Sequence, residues 1–227
     1  MYILHIETST ENCSVAISND DQLIDCIDNV DGMNHTAILA PAIQKILQTI
    51  SISPLGLGAV SVSAGPGSYT GLRVGSSTAK AMAYSLKIPF VAIPSLSALA
   101  DAAFLRYPKA DWVLPMLDAR RNEVYACLFD RSGAGHIPVS SVILENEIIK
   151  DLIPSGTVIV CGNGSHKLQI HQAGFPDIII DQEIQSSARH LVGPAFSLIS
   201  KKEFSDPLHF VPYYLKPPNI TQQRKLL

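Results

Sequence analysis

The stretch Ser63-Ala64-Gly65-Pro66-Gly67-Ser68-Tyr69-Thr70-Gly71-Leu72-Arg73-Val74-Gly75 limits what this chain can fold into more than any other. Before it, Ala59 to Ser63 alternates small and β-branched residues as a buried strand does. After it, Thr70 to Leu86 carries apolar residues at helical spacing. Glycines and small hydroxyl residues let a strand turn this sharply into a helix. Such a junction gathers backbone N–H groups at the positive end of a helix dipole, which favours an anion. The known phosphate codes do not fit. No lysine stands beside Gly71 as the nucleoside triphosphate loop requires, and the dinucleotide pattern puts Thr70 where its third glycine belongs. Two readings stand side by side: a ligand cradle built from Gly65, Gly67 and Ser68, and a turn that lets a helix pack closely.

A second pattern is a duplication. Tyr2 to Glu7, a polar turn, then alternating Cys13, Val15 and Ile17 read as strand, turn, strand, and Val113 to Asp118 followed by Val124, Ala126 and Leu128 repeats the layout. Each first strand closes on a carboxylate, Glu7 or Asp118. Two related α/β lobes are expected, 1–106 and 107–227, divided where Pro108 blocks helix continuation, with the last helix or tail packing back on the first lobe. Later strands (Val139 to Leu144, Thr157 to Cys161, Asp177 to Ile180) alternate with helices (Glu145 to Leu152, Ser165 to Gln172, Ser187 to Ser200), which implies mixed sheets with covering helices. Ser165 is the expected cap of its helix, and the chain from Phe210 is expected to be extended or frayed.

At 227 residues, a chain like this buries roughly 70 per cent of its unfolded surface. Only 16% of residues are charged and 47% are hydrophobic, against about 25 per cent charged in typical chains. Either a large core or a partner-facing apolar surface accounts for the excess. A net charge of −3 supplies no field for gripping a nucleic acid backbone. No run of about 18 apolar residues occurs and the amino terminus enters a strand at once, so a cytoplasmic protein without membrane contact is expected. Cys13, Cys26, Cys127 and Cys161 form no paired motif and read as small hydrophobes.

The seven histidines include no pair at three- or four-residue spacing, so no metal site is expected. Ser68 has no nearby base to make it a nucleophile. Glu7, Thr8 and Ser9 are candidate nucleotide contacts, since turn hydroxyls suit phosphate and a strand-end carboxylate can hold a magnesium-bound water. Arg120 and Arg121 either clamp an anion or pair with Asp118 and Glu123 across their hairpin. Leu39, Ile43, Ile46, Leu47 and Ile50 place an amphipathic helix over Thr36 to Ile50, kinked or restarted at Pro41. The helix after the glycine turn has a flat face of Gly71, Gly75, Ser76, Ala79 and Ala83, which lets another backbone come close. That backbone belongs either to the chain's own sheet or to a partner helix.

Four segments together carry a family resemblance: Ile3-Leu4-His5-Ile6-Glu7-Thr8-Ser9-Thr10, Ala64 to Arg73, Pro94-Ser95-Leu96-Ser97-Ala98-Leu99, and Asp118-Ala119-Arg120-Arg121-Asn122-Glu123-Val124-Tyr125. They resemble the TsaB, or YeaZ, family. The resemblance implies a two-lobed α/β fold of the actin, Hsp70 and sugar-kinase type, with a ribonuclease H-like core in each lobe. It implies a role in placing a threonylcarbamoyl group on the adenosine next to the anticodon of tRNA. A TsaD-like subunit would carry the metal and the catalysis, and a TsaE-like ATPase would join the complex. In TsaD-like chains an Asn-His-x-x-x-His segment supplies two metal ligands, whereas Ser95 and Leu99 stand at the comparable places here. The expectation is therefore a non-catalytic scaffold with no cofactor of its own. It would form a homodimer when alone and meet tRNA only through the complex, where ATP or ADP is bound. Its partner interface is expected at His35, Leu39, Ile43, Leu72, Arg73, Gly75, Ser76, Ala79, Met82 and Ala83, so that enlarging Gly75 or Ala79 disrupts association before folding. A peptidase or nucleotide phosphotransferase of the same lineage is the alternative.

Overall fold

The computed structural model describes residues 1–30, 34–136, 139–143, 154–168 and 177–216. Strands β1 (Tyr2–Glu7), β2 (Cys13–Asn19) and β3 (Gln22–Asn29) form an antiparallel meander. Helix α1 (His35–Thr49) leads to β4 (Leu57–Ser63), which lies parallel to β1. Helix α2 (Tyr69–Leu86) then leads to β5 (Phe90–Ile93), parallel to β4, giving the order β3-β2-β1-β4-β5. After α3 (Ser95–Arg106) the plan repeats with β6 (Trp112–Asp118), β7 (Glu123–Ala126), β8 (Phe129–Asp130), β9 (Ser140–Ile143), β10 (Val158–Cys161) and β11 (Ile178–Asp181). The second sheet runs β9-β7-β6-β10-β11, with β8 beside β6. Each sheet thus has a central strand with an antiparallel pair on one side and two parallel strands on the other. A 3-10 turn (Ala188–Leu191) and α4 (Val192–Ser200) follow.

Alternation in the strands sorts the first sheet into an apolar face and a polar one. Leu4, Ile6, Val15, Ile17, Val60 and Val62 form one core with Leu39, Ile43, Ile46 and Leu47 of α1 and Ala79 and Ala83 of α2. Helix α1 continues through Pro41, because that residue lies on the exposed side, where the carbonyl it leaves unbonded can meet water. The packing crosses the expected lobe line at residue 106. Leu96, Leu99, Ala100 and Ala103 of α3 bury against Val113, Leu117 and Ile159 of the second sheet, while Leu191 and Ala195 pack on Val91 and Ile93 of the first.

The other face of the first sheet carries His5, Ser14, Ser18, Ser61 and Ser63, all buried. His5 bridges Ser61 Oγ through Nδ1 at 2.7 Å and Ser18 Oγ through Nε2 at 2.8 Å. Burial lowers its pKa to about 3, so the ring is neutral in the folded chain. A base whose folded pKa lies below its unfolded value of about 6.5 contributes stability that is full above that value and lost as pH falls toward 3, at up to about 1.4 kcal/mol per pH unit. Glu7, whose pKa burial raises, works in the opposite direction above its unfolded value of 4.5. Denaturation midpoints of the parent and His5→Asn between pH 7 and 4 should therefore diverge in slope, the variant being flatter. Parallel slopes would show that His5 does not titrate on unfolding.

Residues 201–216 contain no helix or strand, yet they are anchored rather than frayed. Ser205 N–H donates to Phe90 O at 2.8 Å, Lys80 Nζ to Phe210 O at 2.7 Å, and Tyr213 N–H to Ala64 O at 2.7 Å. This strap covers the open edge of β5 and runs along α2 to the glycine turn. The expected helix at Glu145 to Leu152 lies outside the described residues. Of the one expected from Ser165, a 3-10 turn at Ser165–Lys167 is described, with Gly164 rather than Ser165 at its cap position.

Candidate functional site

The glycine turn opens on a cleft of about 770 Å³ between the two lobes. The hairpin turn after β1, the first turn of α2, the turn after β6, the second glycine turn at Gly162 to Ser165, and the strap at Tyr214 to Lys216 all line it.

Most of the glycines serve internal packing. A Cβ on Gly67 would collide with the Ser9 carbonyl, one on Gly71 with the Thr8 carbonyl, and one on Gly75 with Thr8 Oγ1. Glycines at the start of α2 thus seat that helix directly on the backbone of the β1–β2 turn. The close backbone the sequence called for is the chain's own. Gly65, at φ +101°, is covered by the Tyr213 carbonyl, and it exchanges hydrogen bonds with Ser95: Gly65 N–H to Ser95 Oγ at 3.2 Å and Ser95 N–H to Gly65 O at 2.9 Å. Ser68 caps α2 by accepting from Gly71 N–H, and its own N–H donates to Ser9 O at 2.7 Å. Of the cradle residues, Gly65 is closed off by Ser95 and the Tyr213 carbonyl, whereas Gly67 and Ser68 line the cleft. Tyr69 and Thr70 carry the helix-end N–H groups that remain.

Glu7 does not face the cleft. It is buried, accepts from Ser9 N–H at 2.5 Å, and its pKa is raised by burial against the lowering effect of its bonds to Ser9, Ser63 and Thr8. Thr8 is buried under α2, so of the three expected contacts Ser9 alone lines the cleft. Glu7→Ala should strand a buried N–H and lower stability by about 1–3 kcal/mol; an unchanged melting temperature would show that this bond contributes nothing. Across the cleft, Asp118 pairs with Lys167 at 2.5 Å and Glu123 pairs with Lys216. Arg120 and Arg121 make neither ion pair; Arg120 reaches Asp118 only through its backbone N–H, at 2.6 Å. Asn163 Nδ2 joins the lobes by donating to Glu11 Oε2 at 2.8 Å. Asn163 lies between Gly162 and Gly164, a turn signal visible in the sequence, but nothing local marks Lys167 or Lys216, which reach the hairpin from distant positions.

Where TsaD-like chains would carry ligands, Ser95 is bonded to Gly65 and Leu99 lies in the core. Among the described residues no cluster of three histidine, cysteine or carboxylate side chains is placed to hold a metal.

A family model described as "TsaD: tRNA N6-adenosine threonylcarbamoyltransferase" matches residues 29–150. The tRNA threonylcarbamoyladenosine biosynthesis protein TsaB of Bacillus subtilis is 32% identical over 224 residues, covering 95% of this chain and 94% of that protein. The chain belongs to the TsaB family. The Escherichia coli TsaB is 33% identical over 168 residues, 72% of each chain. The solved structure of YeaZ from Pseudomonas aeruginosa superposes with a TM-score of 0.76 at 24% identity, over 94% of this chain and 99% of that one. The fold is also shared at 10% identity with the activator of the 2-hydroxyisocaproyl-CoA dehydratase from Clostridium difficile, at a TM-score of 0.56 over 91% of this chain and 99% of that one, and with a ROK family protein from Streptococcus pneumoniae, at 0.52 over 90% and 100%.

Against the interface expected from the sequence, His35, Leu39, Ile43, Leu72, Gly75, Ser76, Ala79 and Ala83 are all buried within the chain. Their stripe faces the chain's own first sheet and turn, where apolar and small side chains have the most to gain from leaving water. Arg73 is exposed and Met82 partly so. The outer surface of the helix pair is instead made by residues such as Ala37, Ala40 and Gln44 on α1 and Arg73, Ser77, Ala81 and Tyr84 on α2.

Proposed function

We propose that this chain is a non-catalytic subunit of the machinery that transfers a threonylcarbamoyl group to the adenosine next to the anticodon of tRNA, and that it supports a TsaD-like catalytic partner. The observation that carries this reading is the closed state of its would-be chemistry. Glu7 is turned inward, Ser95 is tied to Gly65, and Leu99 is in the core. What remains exposed is a surface suited to association. Neither α1 nor α2 contains a carboxylate, and the outer face presents small residues around Tyr84, which is 62% exposed. A TsaD-family partner shares the sequence pattern matched over residues 29–150, so an equivalent helix pair would meet this one across a pseudo-twofold axis.

On this reading the chain pairs with itself when alone and exchanges to the catalytic partner. A TsaE-like ATPase joins the assembly, ATP or ADP is bound there and not as an intrinsic cofactor, and tRNA is contacted through the complex. The setting is the cytoplasm; among the described residues no helix is long and apolar enough to cross a membrane. Light scattering of the chain mixed with its TsaD-like partner tests the association. A species with the summed mass is expected, and two unmixed species would refute the reading.

A further inference from the structure

A second pocket, of about 690 Å³, lies apart from the cleft and shares only Gln185 with its lining. The first lobe contributes Asn12 and the end of β3 to it, and the last turn of α3 and the segment 183–190 supply the rest. Two of its side chains, Asn12 and Ser186, are 7% and 3% exposed, and Asn12 Oδ1 and Ser186 Oγ have no hydrogen-bond partner among the described residues. The Asn12 amide is fixed in orientation, because its Nδ2 donates to Asp28 Oδ1 at 3.1 Å and to Ser186 O at 2.9 Å. The atom left over is therefore an acceptor. Buried polar atoms are rarely left in that state without a ligand or water to satisfy them. In the same lining, Val30 and Leu105 are 69% and 82% exposed, so the open polar atoms sit beside uncovered apolar surface.

The charges of this pocket are already matched. Asp28 accepts from Asn12, Ser187 and Arg189, and Arg106 pairs with Asp181 and Glu183. Burial lowers the pKa of His190, so its ring is neutral at pH 7. What stays open is an acceptor, a hydroxyl and apolar surface, which suit an N–H group carried on an apolar body and select neither a phosphate nor a metal ion. A small molecule inside the pocket would leave most of Leu105 in water, whereas a chain that runs on past the pocket would cover it. β3 stands last in the order of the first sheet, and no strand among the described residues pairs with its outer edge, so an extended chain leaving the pocket has a strand to follow. We propose that this pocket docks an extended, uncharged peptide segment of another protein, which sets an apolar side chain against Val30 and Leu105 and donates a backbone N–H to Asn12 Oδ1.

This inference does not rest on the scaffold reading, because the pocket lies away from the outer faces of α1 and α2; failure to meet a TsaD-like partner would leave it standing. The test is an NMR titration of the full, 15N-labelled chain with the blocked peptide acetyl-Ser-Val-Leu-Val-Ser-amide. Saturable shifts are expected at the amides of Val30, Leu105 and Ser186. The same peptide methylated on its three central nitrogens should bind at least about tenfold more weakly, since it has lost the donors the pocket needs. Ser186→Ala and Leu105→Ser should each weaken the parent peptide by roughly three- to tenfold. Both variants should melt with the parent, because Ser186 Oγ bonds to nothing in the free chain and Leu105 is exposed, and this separates lost binding from lost folding. Absence of saturation up to about 5 mM, shifts confined to other surfaces, equal binding of the methylated peptide, or affinity unchanged in both variants would overturn the proposal.

Discussion

Gly71→Ala is expected to destabilise the folded chain by about 3 kcal/mol, although alanine in place of a helical glycine ordinarily stabilises by up to about 1 kcal/mol. The sign reverses because the added methyl would fall on the Thr8 carbonyl, a backbone atom fixed by the β1–β2 hairpin. Either the first turn of α2 lifts off or the hairpin turn moves, and both are buried. Gly75→Ala should cost less, since the atom it meets first is the end of the Thr8 side chain. Combining it with Thr8→Ala should restore part of the loss, whereas the same second change should not rescue Gly71→Ala. Urea denaturation with an unchanged m-value reads all four chains. A Gly71→Ala variant as stable as the parent would mean that the glycines do not seat this helix on the turn.

Ala81→Arg is expected to weaken association with the TsaD-like partner at least a hundredfold, about 2.7 kcal/mol, while leaving the isolated chain folded to within about 0.5 kcal/mol. Ala81 is exposed on the outer face of α2, so a guanidinium there meets only water in the monomer. In a closely packed interface it would be buried without a partner, and that desolvation is what weakens binding. Sedimentation of the mixed subunits measures the first effect and thermal melting the second. Unimpaired assembly would move the interface away from α1 and α2. The roles of Gly75 and Ala79 are accordingly reversed from the sequence expectation: enlarging either should harm folding first.

Much of this was legible because it depends on periodicity and turn chemistry. The apolar alternation of β1 and β2, repeated in β6 and β7, announced two lobes of one topology, and the amphipathic stripe of α1 placed that helix to within a residue at either end. The small-residue face of α2 was legible as a site of close backbone approach. Sequence spacing carries no information on whose backbone approaches, and here the answer depended on the Thr8 and Ser9 carbonyls of a turn some sixty residues away. The orientation of Glu7 was hidden for a similar reason. A strand-end carboxylate can point into a cleft or fold back on its own turn, and Ser9 N–H and Ser63, brought close only by the sheet, decide between them.

The charged hairpin at Asp118 shows the limit of local reasoning. Arg120 and Arg121 are adjacent in sequence and seemed the natural partners of Asp118 and Glu123. Their φ values of +70° and +50° put both in the left-handed region, and the cations that reach the carboxylates are Lys167 and Lys216. That the tail packs back on the first lobe was legible, but its course was not, because an extended segment with prolines has no period to detect. Its place is set by single bonds to Phe90, Lys80 and Ala64.

The central claim is that this chain supports a transfer it does not perform. Incorporation of the threonylcarbamoyl group into unmodified tRNA, from an activated threonylcarbamoyl donor supplied with ATP, should be measured with this chain alone, with the TsaD-like subunit alone, and with both, in the presence of the TsaE-like ATPase. Transfer is expected only when both subunits are present, and to persist when Glu7→Gln replaces the parent, provided that variant is folded. Transfer by this chain without the TsaD-like subunit, or full transfer in its absence, would contradict the claim.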